Sequence, residues 1–274
     1  MLSYQHGYHA GNFADVVKHL TLCRIVNYMI QKEKPLFYLE THAGSGIYDL
    51  NDKKAQKTTE FNTGIAHLWE QRNKLLPLFD PYIKVIKSMN LDNNLRYYPG
   101  SPYLAIASLR PQDRLICTEL HPQEFKQLAQ LPRLKKRVFF SHMDGIQAMH
   151  SLLPPAERRG LIFIDPAYEV KTEYKDIAKA VNAAYHKFAT GVYCIWYPIL
   201  DNRLHTQLVR KIKEDGLKQV LRIEFLLSNT NQDGMTGCGL LIINPPFKLA
   251  EEITTILDYL VTVINPGKSF YFIE

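Results

Sequence analysis

Cysteine is scarce. Four occur in 274 residues, at Cys23, Cys117, Cys194 and Cys238, and no two form a CxxC pair. Neither a zinc ribbon nor a thioredoxin-like site is supported. Cys117 and Cys194 sit in apolar runs and read as small core residues of a reducing compartment. No apolar run approaches the roughly 18 residues of a membrane span. The start, Met1–His6, lacks the basic and apolar regions of a secretion signal. No internal repeat or low-complexity tract is visible. A cytoplasmic protein without membrane or metal attachment is expected. Neither sign of charge dominates: 33 Lys and Arg against 27 Asp and Glu leave +6. That is a mild lean toward polyanionic partners, and solubility alone accounts for it equally well. Hydrophobic residues make up 46%, which excludes a disordered chain and allows a sizeable core.

Seven short apolar runs read as strands: 36–40, 115–119, 138–141, 161–165, 192–197, 220–227 and 240–244. Helical patterns lie between most of them. Val16, Val17, Leu20, Cys23, Val26 and Ile30 recur at three- and four-residue steps, as one helix face would. Residues 172–187 and 202–215 read similarly, and Pro81 and Pro102 sit where helices can begin. Strands alternating with helices predict an α/β fold with a mostly parallel sheet covered on both faces. Only residues 228–239 separate the last two strands, too few for a helical crossover, so they should form an antiparallel hairpin at one end. A seven-stranded sheet of this kind resembles the Rossmann-like methyltransferase fold. One stretch breaks the alternation. Residues 51–97 carry their own helical patterns, around 60–72 and 81–89. They are expected to form a helical insertion on one sheet edge within a single domain spanning 1–274.

The first strand runs into Glu40-Thr41-His42-Ala43-Gly44-Ser45-Gly46. Gly44 and Gly46 let the backbone turn sharply and lie against a nucleotide, although a plain glycine turn has the same pattern. An acid ending the second strand holds ribose hydroxyls about 20 residues after such glycines. Glu119 ends that strand, 73 residues after Gly46, and removing the 47-residue insertion leaves 26. A helix cap is the competing reading of Glu119. Asp144-Gly145 closes the third strand, where a carboxylate can enter a cofactor cleft or cap a helix.

The sharpest feature is Leu161-Ile162-Phe163-Ile164-Asp165-Pro166-Ala167-Tyr168. Burying this strand carries Asp165 to the carboxyl edge of the sheet, where open α/β folds bind ligands. It resembles the Asp-Pro-Pro-Tyr motif of methyltransferases acting on adenine N6. The exocyclic amine is a poor nucleophile because its lone pair is delocalised into the ring. A carboxylate at Asp165 and the Pro166 carbonyl can accept both N–H groups and favour a pyramidal nitrogen. Tyr168 can stack on the flipped base. Ala167 departs from the motif's second proline and makes the turn less rigid. Asn244-Pro245-Pro246-Phe247 matches the broader motif with Asn first. Strand order assigns catalysis to Asp165 and leaves Asn244–Phe247 as a turn. The segment 4–19 holds three His, two Tyr and a Lys. His6, His9 and His19 lack an obvious carboxylate partner set, so base stacking and phosphate contact fit better than a metal.

Together these segments resemble the bacterial 23S ribosomal RNA adenine-N6 methyltransferases of the RlmJ type. Matching stretches are Met1–Tyr4, His9–Asn12, Thr41–Gly44, Arg96–Pro102, Thr118–Pro122, Arg158–Ile162, Phe188–Gly191, Trp196–Pro198 and Gly234–Thr236. They cover essentially the whole chain. The resemblance implies S-adenosylmethionine as methyl donor and one adenine of 23S rRNA as substrate. It implies cofactor contacts at His19, His42, Ser101, Glu119, Asp144 and Gly145, and Asp165 as catalytic acceptor. It links Tyr4, His6 and Lys18 with the RNA or with closing the site. A monomer is expected. A DNA adenine methyltransferase, or a non-catalytic RNA-binding protein that kept the fold, remain open as alternatives. The basic run 133–137 and the lysines Lys53, Lys54 and Lys57 are candidate phosphate contacts.

Overall fold

The computed structural model describes residues 4–132, 136–217, 219–228 and 234–274. Most of the basic run 133–137, and the first three residues of the segment Met1–Tyr4, lie outside the described residues. In chain order the strands are β1 (Phe37–Glu40), β2 (Ile47–Asp49), β3 (Tyr97–Pro99), β4 (Arg114–Thr118), β5 (Val138–Ser141), β6 (Gly160–Ile164), β7 (Val192–Leu200), β8 (Val220–Leu227), β9 (Met235–Ile243) and β10 (Ser269–Ile273). The helices are α1 (Phe13–Met29), α2 (Lys53–Thr58), α3 (Ile65–Glu70), α4 (Asp80–Met89), α5 (Ser101–Ser108), α6 (Pro122–Leu128), α7 (Gly145–Leu152), α8 (Glu173–Lys187), α9 (His205–Glu214) and α10 (Leu249–Val263).

Eight strands form the main sheet, in the order β10-β8-β9-β7-β6-β1-β4-β5. The block β5, β4, β1, β6 and β7 is parallel throughout. Its strands are apolar on both faces because helices cover both. Tyr38, Leu161 and Cys194 point into one core with Val16, Leu104 and Ile256. Leu39, Ile162 and Ile195 point into the other with Met149, Ile177 and Leu208. One face therefore carries α1, α5 and α10, and the other α7, α8 and α9.

All seven expected strands are present, and the last two form the expected antiparallel pair. Their position differs from expectation in one respect. β9 enters between β7 and β8, antiparallel to both, and the edge belongs to an eighth strand, β10. β10 went unforeseen because an edge strand buries only alternate residues, and Phe270 and Phe272 are exposed.

The insertion is also placed differently. It does not sit on a sheet edge. The short antiparallel ribbon β2–β3 frames it, with Asp49 opposite Tyr97. Leu68, Trp69, Tyr82, Ile83 and Ile86 of α3 and α4 join the core that also buries α1. This packing explains the second surprise. The apolar periodicity of α1 suggests one buried face, yet residues 13–26 are buried all round, including Asp15, Lys18, His19 and Arg24.

Leu161 is fully buried at the centre of the sheet. Leu161→Ala is expected to cost about 2–5 kcal/mol of stability. A urea titration should show a lower midpoint with an unchanged slope.

Candidate active site

The loops after β1, β4, β5 and β6 open together at the carboxyl end of the parallel strands. With the segment before α1 they surround a cleft of about 630 Å³. This is where an open α/β sheet binds ligands. A hollow of about 690 Å³ lies at the opposite end, lined by Gly160, Val192, Asn244 and Phe247. Asn244 belongs there because β9 runs antiparallel to β7, so that Ile243 faces Tyr193 near the start of β7. Its side-chain amide donates to the carbonyls of Ala189 and Gly191. The second motif is thus a turn at the far end of the sheet from Asp165.

In the loop after β1, Gly44 adopts φ of +60° and lines the cleft. Gly46, at φ +79°, does not. It packs under Leu131, whose methyl would lie 2.5 Å from an added Cβ, and its carbonyl accepts from Gly100. Gly46 therefore shapes the turn and stands outside the cleft lining. Glu119 follows β4 directly. One of its oxygens accepts from Gly44 N–H at 2.8 Å and the other from His121 N–H at 2.7 Å. Burial pushes its pKa up, and these N–H groups offset part of the rise. Asp144 caps α7 through Gln147 N–H and still lines the cleft, so capping does not withdraw it from the lining. Gly145 has no room for a side chain: a Cβ there would lie 2.3 Å from the Thr41 carbonyl oxygen.

Ser101 opens α5 and donates to Glu40 Oε1 at 2.5 Å. Glu40 is fully buried and also accepts from the Tyr38 hydroxyl at 2.9 Å. Burial lifts its pKa to about 8, against the opposing pull of these two donors. A carboxylate ending an apolar strand is the same signal that marks Asp165, and it could have marked Glu40. His19 and His42 both line the cleft. Burial lowers the pKa of His19 to about 3 and of His42 to about 4. His19 stacks on Tyr98 with its Nδ1 2.8 Å from the Tyr98 hydroxyl.

Asp165 sits immediately after β6, and Lys18 donates to its Oδ2 at 2.6 Å. Lys18 also pairs with Asp15 Oδ1 at 2.9 Å. Burial opposes the Lys18 charge, but the two carboxylates outweigh it and hold the pKa above its usual value. Asp15 Oδ2 accepts from Gly11 N–H and lies 2.8 Å from His6 Nε2. A carboxylate only accepts, so Nε2 carries the proton. In the neutral ring Nδ1 then accepts from the Tyr4 hydroxyl at 2.9 Å. His9 Nδ1 lies 2.9 Å from Glu60, which also accepts from Asn12. The N-terminal histidines thus do have carboxylate partners, contrary to expectation. These come from α1 and from the insertion. They act pairwise: among the described residues no group of three or more His, Cys, Asp or Glu is arranged for a metal.

Tyr168 departs from the expected stacking role. Its ring is buried and stacked on Tyr174, with centroids 4.2 Å apart, and its hydroxyl donates to the Trp196 carbonyl. It forms the cleft wall behind Pro166. Asp15, Glu60 and Trp196, which lies under Lys18 at 5.4 Å, line the cleft and are the site residues that sequence patterns passed over.

A mostly parallel sheet with β9 reversed between β7 and β8, opening on an acid-lined cleft, has the Rossmann-like fold of class I methyltransferases. The model of the family "Ribosomal RNA large subunit methyltransferase D, RlmJ" matches residues 33–272, and the chain belongs to that family. It is 40% identical to "Ribosomal RNA large subunit methyltransferase J" of Escherichia coli (strain K12), over 97% of this chain and 95% of that one. It is 41% identical to the protein of the same description from Haemophilus influenzae, over 100% and 98%. A crystal structure of a Legionella pneumophila protein superposes with a TM-score of 0.93 at 53% identity, covering 97% and 98% of the two chains.

Buried His19 and half-buried His42 give a pH prediction. The unfolded chain takes up protons near pH 6.5 that folded His19 and His42 refuse until about 3 and 4. Stability contributed by these rings is therefore complete above 6.5 and falls as pH drops below it. In an NMR titration both rings should stay neutral from pH 7 to 5. A midpoint near 6.5 for either would contradict this lowering.

Proposed function

We propose that this protein transfers a methyl group from S-adenosylmethionine to the N6 amine of one adenine in 23S ribosomal RNA. The observation that carries this reading is the placement of Asp165 and Pro166 in the same cleft as Gly44, Glu119 and Asp144. The donor set fits the cofactor. The walls are rich in acceptors, with Glu119, Asp144 and Asp165 on three successive loops. Such walls suit ribose hydroxyls and a cationic methionine sulfonium, and they repel a dinucleotide's pyrophosphate. Glu119 takes the ribose, while Asp144, Gly145, His19, His42, Gly44 and Ser101 complete the walls. When bound, the cofactor supplies an electrophilic sulfonium methyl.

Asp165 and the Pro166 carbonyl accept the two N–H groups of the adenine amine. This draws the nitrogen toward a pyramidal geometry and frees its lone pair. Orientation and electrostatic stabilisation then share the work. Tyr4 and His6 line the cleft from the N-terminal segment, where a flipped base enters, and Lys18 lies buried beside Asp165. Around them, Lys54 packs against Gly7 and Lys57 lies 5.9 Å from the Tyr8 ring. We assign these lysines to phosphate contact. The family names favour RNA over DNA as substrate, and the reaction belongs to the cytoplasm, carried out by a monomer. The helices of residues 51–97 act within the single domain. Among the described residues no helix is long and apolar enough to cross a membrane.

Labelled S-adenosylmethionine and 23S rRNA from a strain lacking the modification test this reading. Wild-type protein should label N6 of a single adenine, and Asp165→Ala should lower the rate by about 10²-fold or more while the fold persists. Full activity of Asp165→Ala would sink the assignment. A preference for duplex DNA would reassign the substrate, and no calorimetric cofactor binding would favour a non-catalytic RNA binder. RNA affinity should weaken as salt rises, and replacing Lys53, Lys54 and Lys57 by Ala should flatten that dependence by roughly one unit of slope per lost contact.

A further inference from the structure

The Lys18 ammonium, 2.6 Å from Asp165 Oδ2, neutralises the carboxylate that must hold an amine. A neutral pair is a poor partner for a nitrogen that gains positive charge as it is alkylated. Asp15 changes this balance. Its Oδ1 takes the same ammonium at 2.9 Å, so two carboxylates share one cation. The trio keeps one negative charge. Asp15 and Lys18 stand at i and i+3 on α1, with side chains 1% and 5% exposed, so water does little to screen them. Asp15 is itself held by Gly11 N–H and His6 on its other oxygen. His19 Nε2 lies 4.0 Å away, and its lowered pKa keeps it from adding charge.

We propose that Asp15 is a positioning residue for methyl transfer: it shares the Lys18 ammonium and leaves Asp165 negatively charged toward the substrate amine. This rests on Asp165 being the amine acceptor. Asp15 touches no reacting atom and acts through Lys18. Without it, the ammonium belongs to Asp165 alone, and the residual negative charge disappears. Removing both Asp15 and Lys18 restores that charge.

The test compares wild type, Asp15→Asn, Lys18→Met and the double variant. The readouts are single-turnover methylation of 23S rRNA and calorimetric binding of S-adenosylmethionine. Asp15→Asn should slow transfer by about 10–100-fold while cofactor affinity stays within about threefold. The double variant should recover at least about tenfold over Asp15→Asn, a coupling that a merely structural role does not produce. The proposal is overturned if Asp15→Asn transfers at the wild-type rate. It is equally overturned if that variant loses cofactor binding, or if the double variant is no faster than Asp15→Asn. Failure of the wild-type protein to methylate RNA would instead overturn the proposed function.

Discussion

The ammonium of Lys18 lies among side chains that exclude water, and a charge in that position must be paired. Its partners come from two directions. Asp15 stands one turn earlier on the same helix, and Asp165 ends a central strand 147 residues later. Removing one partner of such a buried pair typically costs about 3–5 kcal/mol, so the contact fastens α1 to the carboxyl edge of the sheet. At the other end of the helix, Arg24 pairs with Glu252 of α10 and fixes its direction. With α1 held at both ends, the segment before it closes over the cleft through His6 and Gly11. The insertion covers the helix face that would otherwise meet water. Fold and site therefore meet in one helix.

The central strands were legible because a parallel sheet writes itself as continuous apolar runs. The site was legible where such a run ends in a carboxylate, at Glu119, Asp144 and Asp165. Glu40 obeys the same rule but turns inward, and only the Ser101 and Tyr38 hydroxyls show that it is sequestered. Asp15 could not be read this way. On a helix, a charged residue looks solvated until the element that buries it is known, and that element begins more than 30 residues later. Tyr168 and Gly46 sit differently from what their motifs suggest, for a related reason. A motif gives residue types, but the packing of Tyr174 and Leu131 decides which surfaces of them remain free.

Direction mattered as much as composition. Two stretches of the chain resemble the same catalytic motif, and both end strands of one sheet. They differ because β6 and β9 run opposite ways, which sends Asp165 to the cleft and Asn244 to the far end. Sequence alone contains strand order but only hints at strand polarity, here through the short connection before β9.

The ribbon β2–β3 has a consequence for how the molecule can vary. The chain departs at Asp49 and returns at the facing Tyr97, so the sheet is indifferent to the length of what lies between. A two-residue bridge would satisfy it. The cleft is not indifferent, because Glu60 on the excursion grips His9 and Asn12. The excursion is thus no part of the sheet, yet it covers α1 and enters the active site. A shortened chain that kept its sheet would lose the clasp on its own N-terminus.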